Sequence, residues 1–180
     1  SGNPGGELFI NGPAGTKVTL RNMIIRGLRG FDNGEQAISF GYNANQSLVL
    51  DNVKMQMTDD FYFSGGKLEI KNHVALSGFY QMAYRPDLQP MLFWYQSSDD
   101  LSINADATLL LDMTVALMYQ PFDTKNSHFV FKDYSSRLFL NGSTLFVPGD
   151  TGLKLTKGHI VVDHRSFLQS DGVINGGSLI

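Results

Sequence analysis

The sequence predicts an all-β fold, a single-stranded right-handed parallel β-helix of about six coils with three short strands each. Three observations carry this reading. A short template, apolar-x-apolar-polar-(Asn/Asp), recurs six times along the 180 residues. Nineteen glycines are spread through the chain, which marks many turns between short elements. Helical spacing of apolar residues is not sustained over three turns anywhere. Leu109 to Met118 is the longest competing run, and Thr114 and Val115 with strand patterns on either side argue for strands there.

The first strand of each coil is read at residues 18–22 (VTLRN), 48–52 (LVLDN), 68–72 (LEIKN), 101–105 (LSINA), 129–133 (FVFKD) and 153–157 (LKLTK). Ala105 and Lys157 break the last position of the template. The starts are separated by 30, 20, 33, 28 and 24 residues, the period of a strand-built solenoid. A second strand follows each, as in Met23 to Ile25, Val53 to Met57 and Val74 to Leu76. A third is rich in aromatic residues: 37–40, 61–63, 91–95 and 115–119. An antiparallel sandwich would instead place Asn-Gly or Asp-Gly turns between longer strands. Asn141-Gly142 exists but closes no regular meander.

In such a coil, alternate residues point inward. Val18, Leu20, Leu48, Leu50, Leu68, Ile70, Leu101, Ile103, Phe129, Phe131, Leu153 and Leu155 are the expected inner ladders. Each coil buries little alone and is stabilised by its neighbours. Asn22, Asn52 and Asn72 recur at the bend after the first strand, where Asn tolerates the left-handed conformation. Stacked, they form the expected internal amide ladder, a structural role. Gly65-Gly66 and Gly176-Gly177 read as turns, and neither precedes a helix that could cradle phosphate. The whole chain reads as one β-solenoid domain or a segment of a longer one, and both ends look cut through a repeating structure.

Composition excludes several classes. Fourteen Lys and Arg against seventeen Asp and Glu give a net charge of −3, without the basic footprint of a nucleic-acid binder. The absence of Cys removes disulfides, Cys-based zinc sites and thiol nucleophiles together. No basic segment and apolar run of signal-peptide kind precedes Glu7. No window holds the ~18 apolar residues of a membrane span. No cofactor is expected.

Candidate chemistry is sparse. Asp59-Asp60 and Asp99-Asp100 offer carboxylates for glycoside hydrolysis, but neighbours on a strand point to opposite faces. Compared with polygalacturonase-like β-helix hydrolases, Asp59-Asp60 and Gly158-His159-Ile160 match fragments of the family's motifs. The Asn-Thr-Asp and Arg-Ile-Lys elements are missing, so that resemblance fails. His159, Asp163 and His164 are a weak metal-ligand set, since His164 falls on the opposite face. No Thr-x-Thr occurs, which argues against an ice-binding ladder. The long corner from Phe79 to Asp100 is the richest feature. Phe93 and Tyr95 are expected inside the coil. Tyr80, Tyr84 and Trp94 are the expected outward rings for a glycan or a partner protein.

The strand triplets, the repeat and the lack of Cys resemble bacterial β-helix surface proteins, in particular the passenger regions of autotransporters. The resemblance implies an extracellular or cell-surface, non-enzymatic structural or adhesive segment of a filament-forming or surface protein. The partners it implies are a surface glycan, a host protein or further copies stacked end to end. The alternative is a tailspike-like or pectinase-like enzyme acting on polysaccharide.

Overall fold

The computed structural model describes residues 8–10, 12–27, 38–40, 45–58, 60–78, 90–149, 151–170 and 173–179. Among these there is no helix. The strands are β1 (Leu8–Ile10), β2 (Lys17–Arg26), β3 (Ile38–Phe40), β4 (Ser47–Met57), β5 (Phe61–Phe63) and β6 (Lys67–Gly78). They continue as β7 (Met91–Tyr95), β8 (Leu101–Ile103), β9 (Thr108–Asp112), β10 (Val115–Tyr119) and β11 (Phe129–Phe131). The last are β12 (Arg137–Asn141), β13 (Thr144–Val147), β14 (Gly152–Val162), β15 (Phe167–Ser170) and β16 (Val173–Leu179).

Every pairing among these strands is parallel, and within each row of strands the neighbours follow chain order. One sheet runs β5, β7, β10, β13, β15. We call it the aromatic sheet. The large sheet holds two rows side by side, because β2, β4 and β6 bend at their middles. Before the bend, β2, β4, β6, β8 and β11 pair in turn. Beyond it, the row continues from β6 through β9 and β12 to β14. Between successive visits to one sheet the chain passes through the other, so the sheets enclose a common core.

The bend has a local cause. Asn22, Asn52 and Asn72 lie at φ 54°, 55° and 54°, a region only Gly and a few short polar residues adopt readily. Asp106, between β8 and β9, takes φ 56°, and Gly158, within β14, takes φ 71°. At Gly158 an asparagine has no room: a Cβ there would stand 2.4 Å from Cγ of Phe131. Gly176-Gly177, read as a turn from the sequence, instead falls inside β16. The strand continues because the β14–β16 register slips at this bend, between Leu155 and His159.

Inward positions form ladders. Leu48, Leu68 and Leu101 follow one another in register, as do Leu50, Ile70 and Ile103, and all are buried. Val18 and Leu20 are partly buried against the same core. In the aromatic sheet, Phe93 stacks on Phe61 at 5.2 Å, and Tyr95 lies between Phe63 at 5.7 Å and Tyr119 at 6.1 Å. Tyr119 meets Phe129 edge-on at 5.8 Å, joining the stack to the large sheet. Such ring pairs each add about 0.5–1.5 kcal/mol beyond the area they bury.

The hydroxyls of this column reach the polar corner beyond it. The Tyr95 hydroxyl donates to the Asp99 carbonyl, and the Tyr119 hydroxyl accepts from the His128 N–H at 2.7 Å. Burial pushes both phenols above their ordinary pKa, so they stay protonated. Other corners are closed by an Asp that accepts from the chain just beyond it. Asp133 accepts from Ser135 N–H and hydroxyl at 2.8 and 2.6 Å. Asp163 accepts from the Ser166 hydroxyl at 2.6 Å and the Arg165 N–H at 3.1 Å. These are Asx turns, in which the side chain stands in for a backbone acceptor.

Candidate functional site

The aromatic sheet shows two surfaces. Its inner residues belong to the core, while its outer residues are Tyr62, Leu92, Trp94, Ala116, Met118, Thr144, Phe146, Phe167 and Gln169, as strand alternation dictates. Tyr62, Trp94, Met118, Phe146 and Gln169 are consecutive in register. Trp94, second in this row, is half-buried. Tyr62 stacks on its indole at 5.3 Å with 29° between the planes. Its Nε1 donates to Oε1 of Gln120 at 3.2 Å. One ring face and the single ring donor are thus already engaged, and the indole offers a rim rather than an open platform.

Of the other two expected outward rings, Tyr80 and Tyr84 lie outside the described residues. Tyr62 and Gln120 were not singled out from the sequence. The Phe61-Tyr62-Phe63 alternation, with two rings buried, was the available signal for Tyr62.

The acidic candidates do not converge. Asp59 lies outside the described residues. Asp60 precedes β5, and its Oδ1 accepts from the Leu92 N–H at 2.8 Å. Asp99 and Asp100 follow β7, at the other end of the same sheet. From Leu92 to Tyr95 alone the strand advances about 10 Å at ~3.3 Å per residue. That already exceeds the spacing of two carboxylates working across one glycosidic bond. The Asp99 backbone is held in the corner, its N–H donating to Oγ of Ser97 at 3.1 Å.

Asp100 has a different neighbour, which the sequence did not reveal. His128 is mostly buried, with Nδ1 3.7 Å from Asp100 and Nε2 3.4 Å from Asp123. Hydrogen bonds from Asn126 and the Lys125 N–H hold Asp123 below its ordinary pKa. Among the described residues, His, Asp and Glu form no group able to hold a metal ion. At the corner that carries Asp163, the carboxylate has protein partners. The Asp163 carboxylate is taken by Ser166, Gly142 and Arg165, which lower its pKa to about 2. His164 is exposed at the turn.

The asparagine positions are structural, and their ladder is on the outside. Asn52 Nδ2 donates to Asn22 Oδ1 at 3.0 Å, and both side chains are exposed. The internal placement expected from the sequence fails because the left-handed residue sits at a convex corner, between inward-pointing Leu50 and Val53. Asn72 leaves the ladder and donates to Asp51 Oδ1 at 2.6 Å. Arg21 holds the other oxygen of Asp51 at 2.7 Å. One strand further along the row, Glu69 accepts from Lys17 at 2.7 Å and Asn104 at 2.9 Å, with Lys71 at 3.5 Å. Burial raises the Glu69 pKa, and the bonds from Lys17 and Asn104 with the two lysine charges outweigh it, leaving a net lowering. The hollow by Asn22, Asn52 and His73, about 450 Å³, opens broadly to solvent.

No protein-family model, curated protein or solved structure matches the chain.

Proposed function

We propose that the chain is part of a right-handed parallel β-helix of about six three-stranded coils. Its role is structural or adhesive, within an exported bacterial surface or filament-forming protein. The observation that carries this reading is the all-parallel pairing of strands in chain order, which is how a coil stacked on its predecessor pairs. Right-handedness accords with the strong preference of parallel crossover connections. The carboxylates of Asp51, Glu69, Asp112, Asp123, Asp133 and Asp163 serve turns and ion pairs, and Asp60 and Asp99 lie at opposite ends of the aromatic sheet, which favours a scaffold over a hydrolase. Each strand edge at the end of such a stack accepts another coil, so end-to-end association with further copies belongs to the same proposal.

Two measurements test it. Surface labelling of intact cells of the source organism is expected to detect the protein, and detection only after permeabilisation would overturn the export. Reducing-sugar release is expected to be absent across a broad polysaccharide panel. Release that Asp60→Asn abolishes would replace the scaffold with an enzyme. A glycan array with Trp94→Ala as control then reads the adhesive role separately.

A further inference from the structure

The outer surface of the aromatic sheet differs from that of the large sheet. No charged side chain projects from its strands β5, β7, β10, β13 and β15. Outside the large sheet, Lys17, Arg21, Glu69, Lys71 and Lys154 mark the row before the bend, and Arg26, Lys54, Asp112 and Arg137 the row beyond it. The aromatic sheet instead shows Tyr62, Leu92, Trp94, Met118, Phe146 and Phe167, the last 67% exposed. Depletion of charge with enrichment of aromatic residues and Met is the signature of the buried centre of protein–protein interfaces.

We propose that this face pairs with the same face of a second copy of the chain, side by side and not end to end. Three features select that occupant. With no charge on the face, superposing it on itself opposes no like charges, and a twofold contact between identical patches is the commonest way proteins self-associate. The row is also self-complementary about its middle. A twofold axis through the β10 rung sets Met118 against Met118, and Trp94 of one copy over Phe146 of the other. Ala116, on the same strand, adds no bulk that would hold two such faces apart. Finally, a sugar chain finds few polar partners here, because the Trp94 donor is spent on Gln120 and Tyr62 covers one indole face.

The size sets the strength. Five strands at ~4.8 Å by about five residues at ~3.3 Å give a face on the order of 400 Å² per copy. A standard interface buries about 800 Å² per partner. The pairing is therefore weak in isolated molecules and depends on concentration. It stands on this face alone and holds whether or not the segment is exported.

The sequence supplies two clean probes, since Trp94 is its only tryptophan and it contains no cysteine. Sedimentation from micromolar to millimolar protein is expected to show a monomer–dimer equilibrium that persists in high salt, with Trp94 emission shifting blue as dimer forms. Phe146→Lys is expected to weaken the dimer by roughly tenfold or more, with an unchanged circular dichroism spectrum. Met118→Cys is expected to give a covalent dimer with a short thiol-reactive linker, and Thr19→Cys on the large sheet is not. A monomer at all concentrations overturns the proposal. So does a dimer that Phe146→Lys leaves intact, or a monomer whose Trp94 is already shielded from a soluble quencher, which would assign the face to a segment of the same chain.

Discussion

Phe93 and Trp94 are neighbours in one strand, yet they belong to two different columns of rings. Phe93 and its stack face inward, where each ring lies between rings or aliphatic ladders and water is excluded. Trp94 and Tyr62 stack just as closely on the outside, where one edge of the pair stays wet. Ring stacking alone therefore does not distinguish core from surface. What separates the columns is what surrounds them, and burial decides the energy.

The largest break in this comparison is Phe93→Ala. It opens a cavity in the inner column and is expected to cost about 3–5 kcal/mol, read by urea unfolding. Gly158→Ala comes next. It places a methyl group against the Phe131 ring at a left-handed backbone position, for an expected loss of about 2–3 kcal/mol. Asn52→Ala strains the same backbone region without a clash and is expected to lose about 1 kcal/mol. Asn52→Gly, measured beside it, is expected to recover most of that loss, since glycine accepts φ 55° freely. Trp94→Ala removes only the outer stack and is expected to cost about 1 kcal/mol or less in the monomer. A Trp94→Ala loss as large as that of Phe93→Ala would show that the outer column is covered.

The corners respond to acid. Asp163 has its pKa lowered from 3.8 to about 2, so its contribution is complete above pH 4 and is lost as the pH falls through 2. Asp51, Asp123 and Asp133 are lowered too, and add to the same acid-side loss. Unfolding followed from pH 6 down to 2 is expected to show stability falling only at the acid end, with a shallower fall in Asp163→Asn.

The strand rows were legible in the sequence because one face of each strand is buried, and burial enforces alternation along the chain. The template found Leu48, Leu68 and Leu101 for that reason. The Asn bends were legible because few residues tolerate φ near 55°. The side of the corner on which those amides lie was not legible, since it depends on curvature rather than on residue type. His128 escaped for another reason. Its two carboxylate neighbours stand 28 and 5 residues away, and only the stacking of corners brings the more distant one close. Trp94 was recognised as an outward ring, whereas its cover by Tyr62 needed the register between β5 and β7.

The bend in the large sheet changes length along the stack while the paired rows on either side of it keep step. Two residues separate Leu20 from Met23 and Leu50 from Val53, three separate Ile70 from Val74, five Ile103 from Leu109, six Phe131 from Leu138 and four Leu155 from Ile160. The flanking pairs stay in register throughout. Added residues here disturb no hydrogen-bonded rung and cost mainly the slowly growing entropy of a longer loop. The bend is thus a natural port for inserted sequence, and a peptide spliced between Tyr134 and Ser135 is expected to be displayed outward with the flanking rungs still in register, at the expense of the corner bonds between Asp133 and Ser135.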